Sequence, residues 1–173
     1  MRKTSRHPQI SRLSEIFAAF PDPFLRVSTL GQRVMRSPES PLSEAERALV
    51  SVYVARLNAC ATCSAHYSGI LRSFGLSSDD LDELAAEPHS VNLAPRLRPI
   101  LALAKSLTKE PGIDIAPLAD GVLAVGWDYR AVVFTVAVTR YVNMVTRLTA
   151  GLGPITTAPA PTPFRATGLQ PSA

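Results

Sequence analysis

The residues best suited to chemistry are gathered in one short stretch, "RLNACATCSAHYSG", residues 56–69. It holds both cysteines of the chain, Cys60 and Cys63. A disulfide between positions so close closes a tiny loop and adds little stability, so reactivity or metal binding accounts for the spacing better than stapling does. The thiolate is the reactive form of cysteine, and a helix N-terminus lowers a thiol pKa because free amides and the helix dipole stabilise negative charge. A helix beginning near residue 60 puts both thiols there, within reach of each other, so that one attacks and the other resolves into a disulfide. His66 lies near one face of the same helix, where it can take a proton from Cys63 or return one to a leaving group. The Tyr67 phenol, one residue on, can join such a relay.

Two other readings fit the same residues. Cys60, Cys63 and His66 could hold a metal, but they make three ligands without an evident fourth, which Glu44, Glu46, His89 or another subunit would have to supply. Alternatively, these are two small buried cysteines beside a hydrogen-bonded histidine. Glu44 and Glu46 read most simply as cap and first-turn carboxylates, although a folded-back helix can bring Glu46 to His66 as a proton partner. Arg56 borders the dithiol and could hold a thiolate or an oxyanion, or lie on the surface. His7 and His89 sit in loop-like contexts. Trp127 and Tyr129 open the last element and read by default as packing or interface residues.

The elements that must position these groups are helical. Apolar residues recur at helical intervals through Ile10, Leu13 and Phe17, then Phe24, Val27, Leu30 and Val34, with Pro21 and Pro23 separating two short helices. Ser43 and Glu46 form a capping-box pattern before a helix over 45–57 that turns Leu49, Val52, Tyr53 and Leu57 inward. Asn58 ends that helix. Residues 61–74 read as the next, packing through Ile70, Leu71 and Phe74 and closed by Gly75. "LSSDDLDELA" starts a short helix with Ser77 as its cap and Asp79 and Asp80 in the first turn. "PRLRPILALAKSL" places Leu97, Ile100, Leu101 and Ala104 on one side, and Asp114 caps a helix running to Val125. "AVVFTVAVT" is rich in β-branched residues and locally resembles a strand. Its apolar character continues to Gly151 without a turn signal, and that length predicts a long buried helix.

The sum is an all-α single domain of about seven helices over residues 12–153. A flexible N-terminal segment precedes it at 1–11, and a Pro-rich, disordered tail follows at 154–173. A chain of 173 residues, 46% hydrophobic and 18% charged, supports one core. The net charge of +4 is carried by scattered basic residues, which excludes a nucleic-acid stripe. No run is long and apolar enough for a membrane span, and "IFAAF" is too short for a secretory core. The expected address is the cytoplasm. Large apolar faces predict association with further subunits.

Two segments resemble the carboxymuconolactone decarboxylase-like family, in the branch related to the alkylhydroperoxidase D protein. They are "PLSEAERALVSVYVARLNACATCSAHYSGILRSFG", residues 41–75, and "DGVLAVGWDYRAVVFTVAVTRYVNMVTRLTAGLG", residues 120–153. In the second, Gly126-Trp127 matches the family's glycine–aromatic turn, and Asn143, Arg147 and Gly153 match the end of its buried helix. The resemblance implies an all-helical alkylhydroperoxidase D-like fold in a homo-oligomer: a dimer, trimer or hexamer. It also implies a thiol peroxidase acting on hydrogen peroxide or small organic hydroperoxides. Cys63 would then be the peroxidatic thiol and Cys60 the resolving one. No flavin, haem or metal cofactor is implied; an external dithiol, such as a lipoylated protein, would be the reductant. Peroxidase members carry a glutamate and a histidine at the positions of Ala48 and Tyr67, so the dithiol is kept while the usual relay is not. Glu46 matches another frequent acidic position and His66 the first histidine of a paired variant, so His66 with Tyr67 or Glu46 would have to substitute. A non-peroxidatic redox-sensing or structural oligomer, or a lactone-decarboxylase-type enzyme, is the alternative on this scaffold.

Overall fold

The computed structural model describes residues 21–74, 94–110 and 112–152. Six helices cover them: α1 (Pro21–Arg36), α2 (Glu44–Leu57), α3 (Ala61–Arg72), α4 (Leu97–Lys109), α5 (Ala116–Ala124) and α6 (Tyr129–Leu152). The chain is all-α, and the described residues contain no strand. The readings at residues 10–17 and at Gly75, Ser77, Asp79, Asp80 and His89, both terminal segments, His7 and Gly153 lie outside the described residues.

Pro21 and Pro23 open α1, in a first turn whose amides need no intrahelical partner; the helix read before them lies outside the described residues. Leu30, expected inside, is exposed. The contact line of α1 runs instead through Gly31 and Val34, because the Tyr141 side chain of α6 lies against the Gly31 backbone. A Cβ built at Gly31 would fall 2.1 Å from the Tyr141 hydroxyl oxygen, so the residue owes its place to close approach.

The capping box forms as the sequence predicts. The Ser43 backbone amide donates to Glu46 Oε2 at 2.7 Å, and the Glu46 amide donates to Ser43 Oγ at 3.2 Å. Ser43→Ala should therefore lower stability by about 1 kcal/mol, read as a lower urea midpoint at unchanged slope.

The helix it starts is buried on all sides, from Arg47 through Ala55. That exceeds the one-sided pattern expected from Leu49, Val52 and Tyr53. α2 is the central helix, packed against α1, α3, α4 and α6, and small residues such as Ala48, Ser51 and Ala55 allow that approach. The Arg47 guanidinium is enclosed there, donating from Nε to the Met35 carbonyl at 2.8 Å and from Nη1 to the Leu42 carbonyl. Burial pushes its pKa down, while Glu44 and Glu46 push it up. It remains a cation that ties the end of α1 to α2.

α6 is a helix throughout, despite its β-branched residues. Ala131, Thr135, Val138, Val142, Asn143 and Thr146 form a buried stripe with helical period. Asp128 opens it by accepting from the Ala131 amide, and the hydrogen bond from Arg130 holds its carboxyl below the ordinary range. α4 buries Leu97, Ile100, Leu101 and Ala104 as expected. Asp114 accepts from the Ala116 amide at 3.0 Å where α5 begins. α5 ends one residue short of Val125, and Gly126 then turns the chain with φ +91°.

Candidate functional site: a dithiol at the corner between two helices

The corner between α2 and α3 is three residues long. Asn58 caps α2, Ala59 turns the chain with φ +53°, and Cys60 is the N-cap of α3. A left-handed alanine costs on the order of 1 kcal/mol, so the surroundings must hold it. Four hydrogen bonds do so. The Asn58 side-chain amide donates to Asn143 Oδ1 at 2.8 Å and to Thr146 Oγ1 at 2.9 Å. Lys109, at the end of α4, donates to the Leu57 carbonyl at 2.6 Å. Arg56 Nε donates to Ser64 Oγ at 3.2 Å across the corner.

Asn143 is the hub of this bracing. It is 2% exposed, and its amide nitrogen donates to Thr108 Oγ1 at 3.1 Å and to the Thr139 carbonyl at 3.0 Å. Thr146 donates in turn to the Asn143 carbonyl at 3.0 Å. α2, α4 and α6 are thus joined through side-chain amides and hydroxyls that meet the corner at Asn58.

Cys60 and Cys63 are linked as a disulfide, with their Cα atoms 5.4 Å apart. Cys60 Sγ also accepts from the Cys63 backbone amide at 3.4 Å, as an N-cap side chain does. The two sulfurs are not equivalent. Cys63 is 6% exposed and belongs to a buried stripe with Tyr67 and Leu71, whereas Cys60 is only half-buried. On the inner side, Cys63 Sγ lies 3.6 Å from Thr149 Oγ1 of α6.

The other predicted site residues are distributed around this pair. Tyr67 is buried one helical turn beyond Cys63, on the same face. Burial raises its phenol well above the ordinary range, with a smaller contribution from Tyr141, which keeps the phenol neutral. His66 is exposed on the outer side of α3, its ring edge-on to Tyr67 at 5.1 Å. Glu46 is not joined to them. It stands in the first turn of α2, at the opposite end of that helix from the corner, and α2's 14 residues span about 21 Å. There it accepts from Ser43 and from Arg96 Nη2 at 2.7 Å. Arg96 also stacks on the Trp127 ring, 4.4 Å from its centroid, and Trp127 Nε1 donates to the Arg96 carbonyl. Trp127 and Glu46 thus clasp the far end of the bundle. Ala48 is fully buried within α2. Phe74, expected to pack, is exposed because α3 ends at Arg72 and no longer carries it round to the buried stripe.

Among the described residues, no group of three or more His, Cys, Asp and Glu side chains is placed to hold a metal. None of the described helices is long and apolar enough to cross a membrane. Thr149 was not visible to sequence reasoning. The only signal was its place at three-residue intervals after Asn143 and Thr146, as one of the polar residues interrupting an apolar helix.

A helical bundle built around α2, with the Cys60–Cys63 pair at the start of α3, defines the class. The chain belongs to the carboxymuconolactone decarboxylase family, whose model matches residues 21–106. Among solved structures, it is similar to an uncharacterised peroxidase-related protein from Silicibacter sp., with a TM-score of 0.70 and 20% identity over 77% of this chain and 69% of that one. An uncharacterised peroxidase-related protein from Ralstonia eutropha, described as an alkylhydroperoxidase AhpD core, gives 0.73 and 20% over 79% and 71%. A protein of unknown function from Agrobacterium tumefaciens, put forward as an AhpD antioxidant defence protein, gives 0.69 and 21% over 85% and 96%. These likenesses establish the alkylhydroperoxidase D-like fold. No curated protein matches the chain significantly.

Proposed function

We propose that this protein is a thiol-dependent, peroxidase-related oxidoreductase that reduces hydrogen peroxide or small organic hydroperoxides through Cys63 and Cys60. The observation that carries the reading is the Cys60–Cys63 bond at the braced start of α3, where reduced thiols meet free helix amides. The Cys63 thiolate attacks one peroxide oxygen; an S–O bond forms, the O–O bond breaks, and the departing alkoxide takes a proton to leave as alcohol or water. Cys60 then attacks the Cys63 sulfenic acid, forming the disulfide and releasing water. An external dithiol, such as a lipoylated protein, restores both thiols and is itself oxidised to a disulfide.

In this reading the proton reaches the leaving group from the outer side, where His66 is exposed, with Tyr67 as a neutral donor beneath. Glu46 serves the α2 start and Arg96, so the proton path is drawn without it. The domain is read as residues 12–153. Exposed Leu123, Val125, Tyr129 and Val133 around the α5–α6 turn support a homo-oligomer.

The testing experiment follows peroxide consumption by the reduced protein with a dithiol reductant, while mass spectrometry tracks the two cysteines. Turnover coupled to reversible Cys60–Cys63 bonding is expected. Reduced, inert cysteines under excess peroxide would instead favour a second reading, a non-peroxidatic redox-sensing or structural member. The buried Ala48, in place of the family's relay glutamate, is what supports that alternative.

A further inference from the structure

Thr149 is the side chain that α6 presents to the inner face of Cys63. Its Oγ1 lies 3.6 Å from Cys63 Sγ and 2.9 Å from the Val145 carbonyl, to which the hydroxyl donates. The contact joins residues 86 positions apart, so it is a property of the packed bundle. A carbonyl accepts only, so in that bond the hydroxyl proton is committed to Val145 and the oxygen is left with acceptor capacity toward the sulfur. The arrangement suits a Cys63 thiol, whose S–H can donate to it. When that proton leaves, the same hydroxyl can rotate from Val145 to the sulfur without moving any heavy atom, and a hydrogen bond to an anion is the stronger one.

We propose that Thr149 is a catalytic hydroxyl of the dithiol centre, donating its proton's hydrogen bond to the Cys63 thiolate and thereby raising the fraction of Cys63 that can attack. The assignment rests on Cys63 as the attacking thiol. It gives the centre an internal stabiliser of the anion where the family's glutamate position holds Ala48. Thr149 is half-buried, and it reaches the sulfur from α6, a different element from the one that carries Cys60.

Among the described residues, the other titratable and charged groups about this corner come from α2, α3, α4 and α6; from α4, Lys109 reaches the Leu57 carbonyl. On α3 they are Cys60, the exposed His66 and the neutral Tyr67. Arg56 comes from α2 and reaches Ser64, and Tyr141 and Arg147 stand on α6. All of them remain in the variants below except Cys60, which is serine wherever the alkylation of Cys63 is read.

The test is the rate of iodoacetamide alkylation of Cys63 against pH, in the full-length protein with Cys60→Ser as background. Adding Thr149→Val should cut the rate at pH 7 about tenfold and move the profile up by about one pH unit, as for loss of one hydrogen bond to a charged group. Thr149→Ser should restore it, and the alkylation of Cys60 in a Cys63→Ser background should ignore Thr149→Val. A Thr149→Val effect below threefold, an equal loss in Thr149→Ser, or an equal effect on Cys60 overturns the proposal. Alkylation needs no peroxide, so a Thr149 effect without peroxide turnover would leave this assignment standing while the peroxidase reading fell. Turnover without a Thr149 effect would do the reverse.

Discussion

Cys63→Ser is expected to abolish peroxide consumption, lowering the steady-state rate on the order of 1,000-fold or more. A serine hydroxyl in the same place is scarcely ionised and cannot replace a thiolate. Cys60→Ser should behave differently. It keeps the attacking sulfur but not the partner that closes the bridge, so one peroxide is consumed per chain and a sulfenic acid accumulates on Cys63. A sulfenic-acid trap read by mass spectrometry separates the two variants. If the trapped sulfur is Cys60 in a Cys63→Ser protein, the two roles are exchanged; if both variants turn over like the parent, neither cysteine carries the reaction.

The second large effect concerns stability and the shape of the corner. Asn143→Leu removes an amide that is 2% exposed and satisfies partners on α2, α4 and α6. It leaves the Thr108 hydroxyl without that donor, takes an acceptor from Asn58, and removes the side-chain bond to the Thr139 carbonyl, which keeps its helical partner. With each unmatched buried group costing about 1–3 kcal/mol, the loss should be about 3 kcal/mol, or roughly 10 °C in Tm for a chain of this size. Because Asn58 directly precedes the left-handed Ala59, the variant should also slow disulfide closure between Cys60 and Cys63. A double-mutant cycle with Asn58→Ala checks the route: a coupling of about 1 kcal/mol or more is expected, and additive losses would show that Asn143 acts elsewhere.

What could be read from the sequence was what the chain decides within a few residues. Ser43 and Glu46 are three apart, and their reciprocal capping was legible. So were the end of α2 at Asn58, the start of α3 at the cysteines and the glycine turn before Trp127. Length settled α6 correctly against its β-branched composition. Contacts fixed only by packing were not legible. Arg96 draws Glu46 from fifty positions away, and Asn58 meets Asn143 across 85. Thr149 reaches Cys63 across a similar distance, with no local pattern to announce it. Leu30 and Phe74 looked like core residues because apolar spacing cannot say that Gly31 takes the contact with Tyr141, or that α3 stops before Phe74. The resemblance supplied the fold, and packing decided which polar groups surround the sulfurs.

The unequal depth of the two sulfurs gives the bridge a direction for its reopening. Thiol–disulfide exchange requires the incoming sulfur to approach along the S–S axis, behind the atom it attacks. Cys63 is enclosed by its own helix and by Thr149, while Cys60 lies at the rim of the corner. In the proposed cycle an incoming thiolate would therefore reach Cys60 first, and Cys63 would depart as the leaving group. Every reduction cycle would then hand the inner sulfur back as a thiolate, already beside the hydroxyl that can receive it.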